Sequence, residues 1–155
     1  MILQFGQYKI DVNVEKTRKY YETAEKLSES CSCDGCRNFE QAVEILPPQV
    51  KDFFTGLGID LRRICECTVF GKKGDKALSY MGFCHACGTV LEGKNACNDF
   101  DWDKKLAFPV SDNFLVSFRN NIWAIEDNFP LPAFKIDFAA TIPWVLEKEF
   151  SRYGI

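Results

Sequence analysis

The first third of the chain carries the hydrophobic spacing of short strands followed by helices. Apolar residues within 2–12 predict one or two short strands, and Asn13 is placed to cap a helix that extends to Leu27. Asp34 is placed to cap a second helix, because apolar residues then recur at i, i+3, i+4 and i+7. One buried stripe of this helix is predicted to consist of Phe39, Ala42, Val43 and Leu46.

A proline pair separates this helix from the next. The ring of Pro47 removes an amide donor and ends the helix, while Pro48 suits the first turn of a new one. Apolar residues then return at helical spacing, and Gly58 is available for the carboxyl-terminal cap. Residues 36–58 are therefore predicted to form a helical hairpin that packs on another layer.

The middle and later parts of the chain have the pattern of strands. Residues 64–91 predict a hairpin whose second strand is either long or broken near residues 84–88. Residues 114–125 predict a second hairpin, because Asn120-Asn121 fits its tight turn. Antiparallel pairing is therefore expected in both places.

The last part of the chain adds a strand and a helix to this prediction. Residues 134–138 alternate between apolar and charged, which predicts a strand with one buried face. Thr141 is placed to cap a helix around residues 143–150. Since helices come early and strands late, we predict an α+β fold with amino-terminal helices packed on a mainly antiparallel sheet. It should form a single compact domain over residues 1–155.

Composition and charge narrow the expected partners. The 155 residues are 46% hydrophobic and include 14 Phe, which is enough for a substantial core. The formal net charge is −3 and the basic residues are spread along the chain, so a protein partner is favoured over nucleic acid. The amino terminus lacks the features of a signal peptide, and no apolar run is long enough to span a membrane. We expect a cytoplasmic protein without a membrane partner.

Eight cysteines are the main chemical feature of the chain. In a reducing compartment, short spacings between cysteines indicate metal binding or redox chemistry more than disulfides. Cys33 with Cys36, and Cys84 with Cys87, have the C-x2-C spacing that lets two thiolates reach one ion. We predict a structural zinc site with these four ligands. A closed four-thiolate site has no open position for water, and the chain has no familiar enzyme motif, so a binding module is favoured over an enzyme.

Two cysteine segments resemble known families. Cys84-His-Ala-Cys87-Gly88 is similar to the knuckle of zinc-ribbon and treble-clef proteins, and this resemblance implies a thiolate-bound zinc ion. The segment from Cys31 to Phe39 has the pattern C-x-C-x2-C-R-N-F and resembles small bacterial proteins that carry it near the amino terminus. That resemblance implies a shared fold in which the residues after Cys36 hold the cysteine loop through hydrogen bonds.

Several alternatives remain open. Cys65 and Cys67 would share one face of a strand, either as further ligands or as small core residues. Spacing alone does not decide whether Cys31, Cys97 and the single histidine, His85, join a metal site. Other functions are a redox protein that uses the first C-x2-C pair at a helix start, or an inhibitor module from a mobile element whose cysteines are incidental.

Overall fold

A computed structural model describes residues 1–99 and 101–148. Its main feature is a seven-stranded sheet made of β1 (Ile2–Phe5), β2 (Tyr8–Val12), β3 (Glu66–Lys72), β4 (Ala77–Glu92), β7 (Phe108–Ser111), β8 (Phe114–Arg119) and β9 (Ala133–Pro143). The strand order is β1-β2-β4-β9-β8-β7, with β3 also paired to β4, and each pair is antiparallel. The short strands β5 (Cys97–Asn98) and β6 (Asp101–Trp102) pair separately.

The helices precede most of the sheet in the chain. They are α1 (Val14–Thr23), α2 (Leu27–Ser30), α3 (Asp34–Ala42) and α4 (Pro48–Gly56), with 3-10 turns at Val43–Ile45 and Leu61–Arg63. Asn13 caps α1 as predicted, since its side chain accepts a hydrogen bond from the Lys16 amide. The first helix nevertheless ends at Thr23, and Leu27 begins α2. Pro48 is the first residue of α4, which confirms the prediction from the proline pair.

The core lies between the helices and one face of the sheet. The Phe39 ring of α3 lies 5.6 Å from the Phe138 ring of β9, and the Phe54 ring of α4 lies 5.4 Å from the Phe114 ring of β8. All four side chains are buried. The α+β prediction, with amino-terminal helices on an antiparallel sheet, is confirmed.

Strand β4 is continuous through residues 84–88, so the long form of the predicted hairpin is the observed one. One edge of β4 pairs with β9 from Ala77 to Cys87. The other edge pairs first with β3 and then, from Gly88 onward, with β2. Helix α1 covers the gap between them: the Tyr21 hydroxyl donates to the His85 carbonyl at 2.7 Å, and the Thr17 hydroxyl accepts from the Cys87 amide at 3.0 Å. These bonds satisfy backbone groups that have no strand partner there.

Several predictions for the last part of the chain are wrong. Residues 122–125 form no strand, because both edges of β8 are taken by β7 and β9. Strand β9 is longer than expected, so Thr141 lies within it and caps no helix. Residues 144–148 are not helical, and the rest of the predicted closing helix lies outside the described residues. Strand β9 also buries both faces between 133 and 138, and on the second face Lys135 packs under the Trp123 ring of the connection before it.

The helices in the described part of the chain are all too short or too polar to cross a membrane.

Candidate metal centre

Three cysteine thiols converge where α2 ends and α3 begins. Cys31 is the carboxyl-terminal cap of α2, Cys33 is the amino-terminal cap of α3, and Cys36 lies in the first turn of α3. Their sulfur atoms all lie within 4.8 Å of one another, and the sulfurs of Cys31 and Cys33 are 3.3 Å apart. Cys33, rather than the predicted Asp34, caps α3, since its sulfur accepts a hydrogen bond from the Cys36 amide at 3.3 Å. The cap therefore holds the C-x2-C pair in one turn.

A fourth thiol reaches this group from the sheet. Cys67 lies on β3, and its sulfur is 3.9 Å from that of Cys36, although it is outside the set of three whose sulfurs all lie within 4.8 Å of one another. Two thiolates bound tetrahedrally to one zinc ion at about 2.3 Å are about 3.8 Å apart. Cys36 and Cys67 are buried, Cys31 is half-buried and Cys33 is exposed. We call Cys31, Cys33, Cys36 and Cys67 the four-thiol cluster.

The pKa values of three thiols in this cluster are shifted in different directions. Burial raises the pKa of Cys33 to about 11. The neighbouring Cys67 thiol and burial together hold the pKa of Cys36 well above its usual range. Hydrogen bonds, above all with the Cys33 backbone, lower the pKa of Cys31. Ionisation of several thiols at once is therefore unfavourable without a cation, and a bound metal ion supplies that charge.

Hydrogen bonds anchor the start of α3 on the sheet. The Tyr80 hydroxyl of β4 donates to the Gly35 carbonyl at 2.7 Å. The buried Asn38 side chain donates to the Pro143 carbonyl at 3.0 Å and accepts from the Val145 amide at 2.7 Å. Asn38 thus holds α3 against the end of β9 rather than bonding within the cysteine loop. The anchored helix fixes the position of Cys36 opposite β3.

The Asp34 side chain, which follows Cys33 in the sequence, forms ion pairs with two basic residues. The Asp34 carboxylate lies 3.5 Å from an Arg37 guanidinium nitrogen and 3.1 Å from the Lys148 ammonium. The negative charge beside the sulfurs is therefore offset by two cations. The Arg37 side chain is exposed to solvent in this ion pair, whereas that of Asp34 is buried.

The second predicted cysteine pair lies elsewhere. Cys84 is fully buried in the middle of β4 opposite Ile136, and the Cys87 sulfur lies 3.7 Å from the Pro130 carbonyl oxygen. Of the predicted four ligands, the structure brings together Cys33 and Cys36; across residues 1–99 and 101–148, neither Cys84 nor Cys87 joins a group of potential metal donors. Residues three apart on a continuous strand point to opposite faces, so this C-x2-C pair has no turn on which to converge.

The remaining cysteines divide between two environments. Cys97 is buried on β5, and its sulfur lies 3.9 Å from the Asp99 carbonyl oxygen. Cys65 precedes β3 and belongs to a second group with His85 of β4 and Glu126 of the connection between β8 and β9. The donor atoms of these three side chains also lie within 4.8 Å of one another. Glu126 carried no recognisable signal in the sequence, because it lies in an irregular connection.

Burial and charge shift the pKa values of the second group. Burial, together with the nearby Glu126 carboxylate, raises the pKa of Cys65 to about 12. Burial and the Lys135 ammonium lower the pKa of His85 to about 4. The imidazole is therefore neutral at physiological pH, which is the form that binds metal ions.

No protein-family model, curated protein sequence or solved structure matches this chain.

Proposed function

We propose that this protein is a zinc-binding module in which the four-thiol cluster holds one zinc ion. The observation that carries the proposal is the convergence of three thiols within 4.8 Å, with the Cys67 sulfur 3.9 Å from that of Cys36. Thiolates are preferred ligands of zinc in structural sites, and four of them complete its tetrahedral coordination. The ion would join the start of α3 to strand β3.

The closed ligand set favours a structural role. Four protein ligands leave no position for water or substrate, so the ion would stabilise the packing of α3 on the sheet. The module would then act by binding another macromolecule. The net charge of −3 favours a protein partner over nucleic acid.

The test is the metal content of freshly purified protein, measured for the wild type and for Cys36→Ser and Cys67→Ser. Each substitution removes a thiolate from the cluster, so each variant should lose one equivalent of zinc. Cys97→Ser is the matched control, because Cys97 is also buried but lies outside both donor groups in the described residues. Unchanged zinc content in Cys36→Ser would contradict the proposal.

Redox chemistry is the second candidate, favoured by the 3.3 Å contact between the sulfurs of Cys31 and Cys33. The Cys31 thiolate would attack an external disulfide, and exchange with Cys33 would release two thiols and leave a Cys31–Cys33 disulfide. Thiol counting on the same protein separates the candidates. Thiols that react only after a chelator is added support zinc binding, whereas one fast-reacting pair in metal-free protein supports redox chemistry.

A further inference from the structure

The second donor group is assembled from three separate parts of the fold. Strands β3 and β4 pair with Glu66 opposite Phe83, which brings Cys65 near His85. Glu126 arrives from residues 120–132, which connect β8 to β9. The sulfur, an imidazole nitrogen and a carboxylate oxygen lie within 4.8 Å of one another. These three residues are far apart in the chain, so only the tertiary fold brings their donor atoms together.

The state of His85 is an independent indication that this group has a ligand. Its side chain is 1% exposed, and within the described residues neither ring nitrogen has a hydrogen-bond partner. The Phe83 and Phe129 rings pack 5.7 and 5.8 Å from the imidazole ring. A buried polar group without a partner is energetically costly, so native structures rarely leave one unsatisfied. A metal ion would accept the lone pair of one nitrogen.

The donor types fit a divalent transition metal. Zinc binds cysteine sulfur, histidine nitrogen and glutamate oxygen, and a thiolate with a carboxylate neutralises its charge. Ligand atoms on one tetrahedral ion lie about 3.3–3.8 Å apart, so only small side-chain movements would be needed. Three protein ligands leave a fourth position for water or a small ligand, unlike the four-thiol cluster.

The Lys135 ammonium group acts electrostatically on His85 but has other contacts of its own. Lys135 lies opposite His85 in the sheet register. Its ammonium group lies 3.8 Å from the centroids of both the Phe83 and Trp123 rings and 3.9 Å from an Asp137 carboxylate oxygen. The aromatic faces and this carboxylate therefore stabilise the lysine charge.

We propose that Cys65, His85 and Glu126 form a second metal site, which binds a zinc-class divalent ion and leaves one coordination position open. This site uses none of the four-thiol ligands. It would give the protein a metal that can take an exogenous ligand, whereas the ion of the four-thiol cluster is closed.

The experiment is a titration of metal-free, reduced protein with Co²⁺, followed by its visible absorption. The wild type should bind two equivalents. His85→Gln and Glu126→Gln should each bind one, with the spectrum of a four-thiolate site retained. Cys36→Ser should also bind one equivalent. Its sulfur-to-metal charge-transfer band should be weaker, because Cys65 is the single thiolate ligand of the remaining site. Glu66→Gln, which changes an exposed neighbour of Cys65, should bind two.

The possible results separate the two sites. The second site would be overturned if His85→Gln and Glu126→Gln both bound two equivalents of Co²⁺. It would also be overturned if the wild type bound one equivalent and only Cys36→Ser abolished that binding. If the wild type bound one equivalent of Co²⁺ that was lost in His85→Gln and kept in Cys36→Ser, the result would support the second site and contradict the four-thiol proposal. Substitution of the buried His85 could also lose metal by unfolding the protein. Glu126 is only half-buried, so a four-thiolate spectrum in Glu126→Gln shows that the loss of one equivalent occurs in folded protein.

The open position has its own test with imidazole as the added ligand. Imidazole should change the spectrum of the ion in Cys36→Ser, because that ion has a free position. It should leave the spectrum of His85→Gln unchanged, because four thiolates occupy the other ion. An unchanged Cys36→Ser spectrum would overturn the open position.

Discussion

Two buried charged residues, Lys135 and Asp137, lie beside the half-buried Arg119 on neighbouring strands. Lys135 and Asp137 lie on β9 and Arg119 lies on β8, where it pairs in register with Lys135. The Arg119 guanidinium is the closer partner of Asp137, with nitrogen-to-oxygen distances of 2.9 and 3.1 Å, against 3.9 Å for Lys135. Burial nevertheless raises the pKa of Asp137 despite both cations. Arg119 is therefore expected to contribute most to keeping this carboxylate ionised inside the protein.

Substitution of the two cations should have unequal effects on stability. Arg119→Met removes the direct partner of a buried carboxylate and should lower the free energy of unfolding by about 3 kcal/mol. Lys135→Met leaves that pair intact and replaces the side chain with an apolar one of similar length, so the change should stay within about 1 kcal/mol. Urea denaturation of both metal-free variants at neutral pH measures the difference. Equal losses would contradict this assignment.

At the scale of elements, helix α1 completes the hydrogen bonding of β4. Strand β3 ends its pairing at Phe83 and β2 begins at Gly88, so the intervening edge of β4 has no strand partner. Thr17 is fully buried, and its hydroxyl accepts from the Cys87 amide and donates to the Asn13 carbonyl. The helix thus acts as part of the sheet edge as well as part of the core.

Thr17→Val should destabilise the protein even though it preserves side-chain shape. It leaves the buried Cys87 amide without an acceptor, which should cost about 1–3 kcal/mol. Thr23→Val is the control, because Thr23 is on the same helix but exposed. Thermal and urea unfolding should show a loss in the first variant and almost none in the second. Similar effects of both would mean that the loss comes from helix propensity alone.

At the scale of the whole molecule, the hydrophobic core extends far beyond Cys36 and Cys67, the two four-thiol ligands that belong to it. One cluster of buried residues joins side chains from α1, α3 and α4 with those of β2, β4, β8 and β9. Metal binding is therefore expected to add stability to a fold that forms without it, unlike small zinc fingers that unfold when the ion is removed.

Removal of metal should lower the melting temperature without abolishing the fold. A ligand present at about 1,000 times its dissociation constant stabilises the native state by about 4 kcal/mol. For a chain of this size that corresponds to roughly 10 °C. Far-ultraviolet circular dichroism before and after chelation, with a thermal scan of each sample, measures both quantities. Loss of the β-sheet signal on chelation would show that folding requires the ion.

Local features were predictable wherever neighbours in sequence decide the structure. The cap at Asn13, the helix start at Pro48 and the hairpin of β3 and β4 follow from turn chemistry and hydrophobic spacing. Predictions failed where distant strands compete. Residues 122–125 look like a strand but have no free edge to join, because β9 pairs with β8 instead.

The sequence by itself determined the α+β class and the turn that holds Cys33 beside Cys36, because both depend on interactions within a few residues. Only the tertiary structure decided which other donors are near. It separates Cys84 from Cys87 on a continuous strand, brings Cys67 to α3, and joins Cys65 to His85 and Glu126. The physical reason is that metal donors need spatial convergence, and identical C-x2-C spacings converge on a helical turn but diverge on a strand.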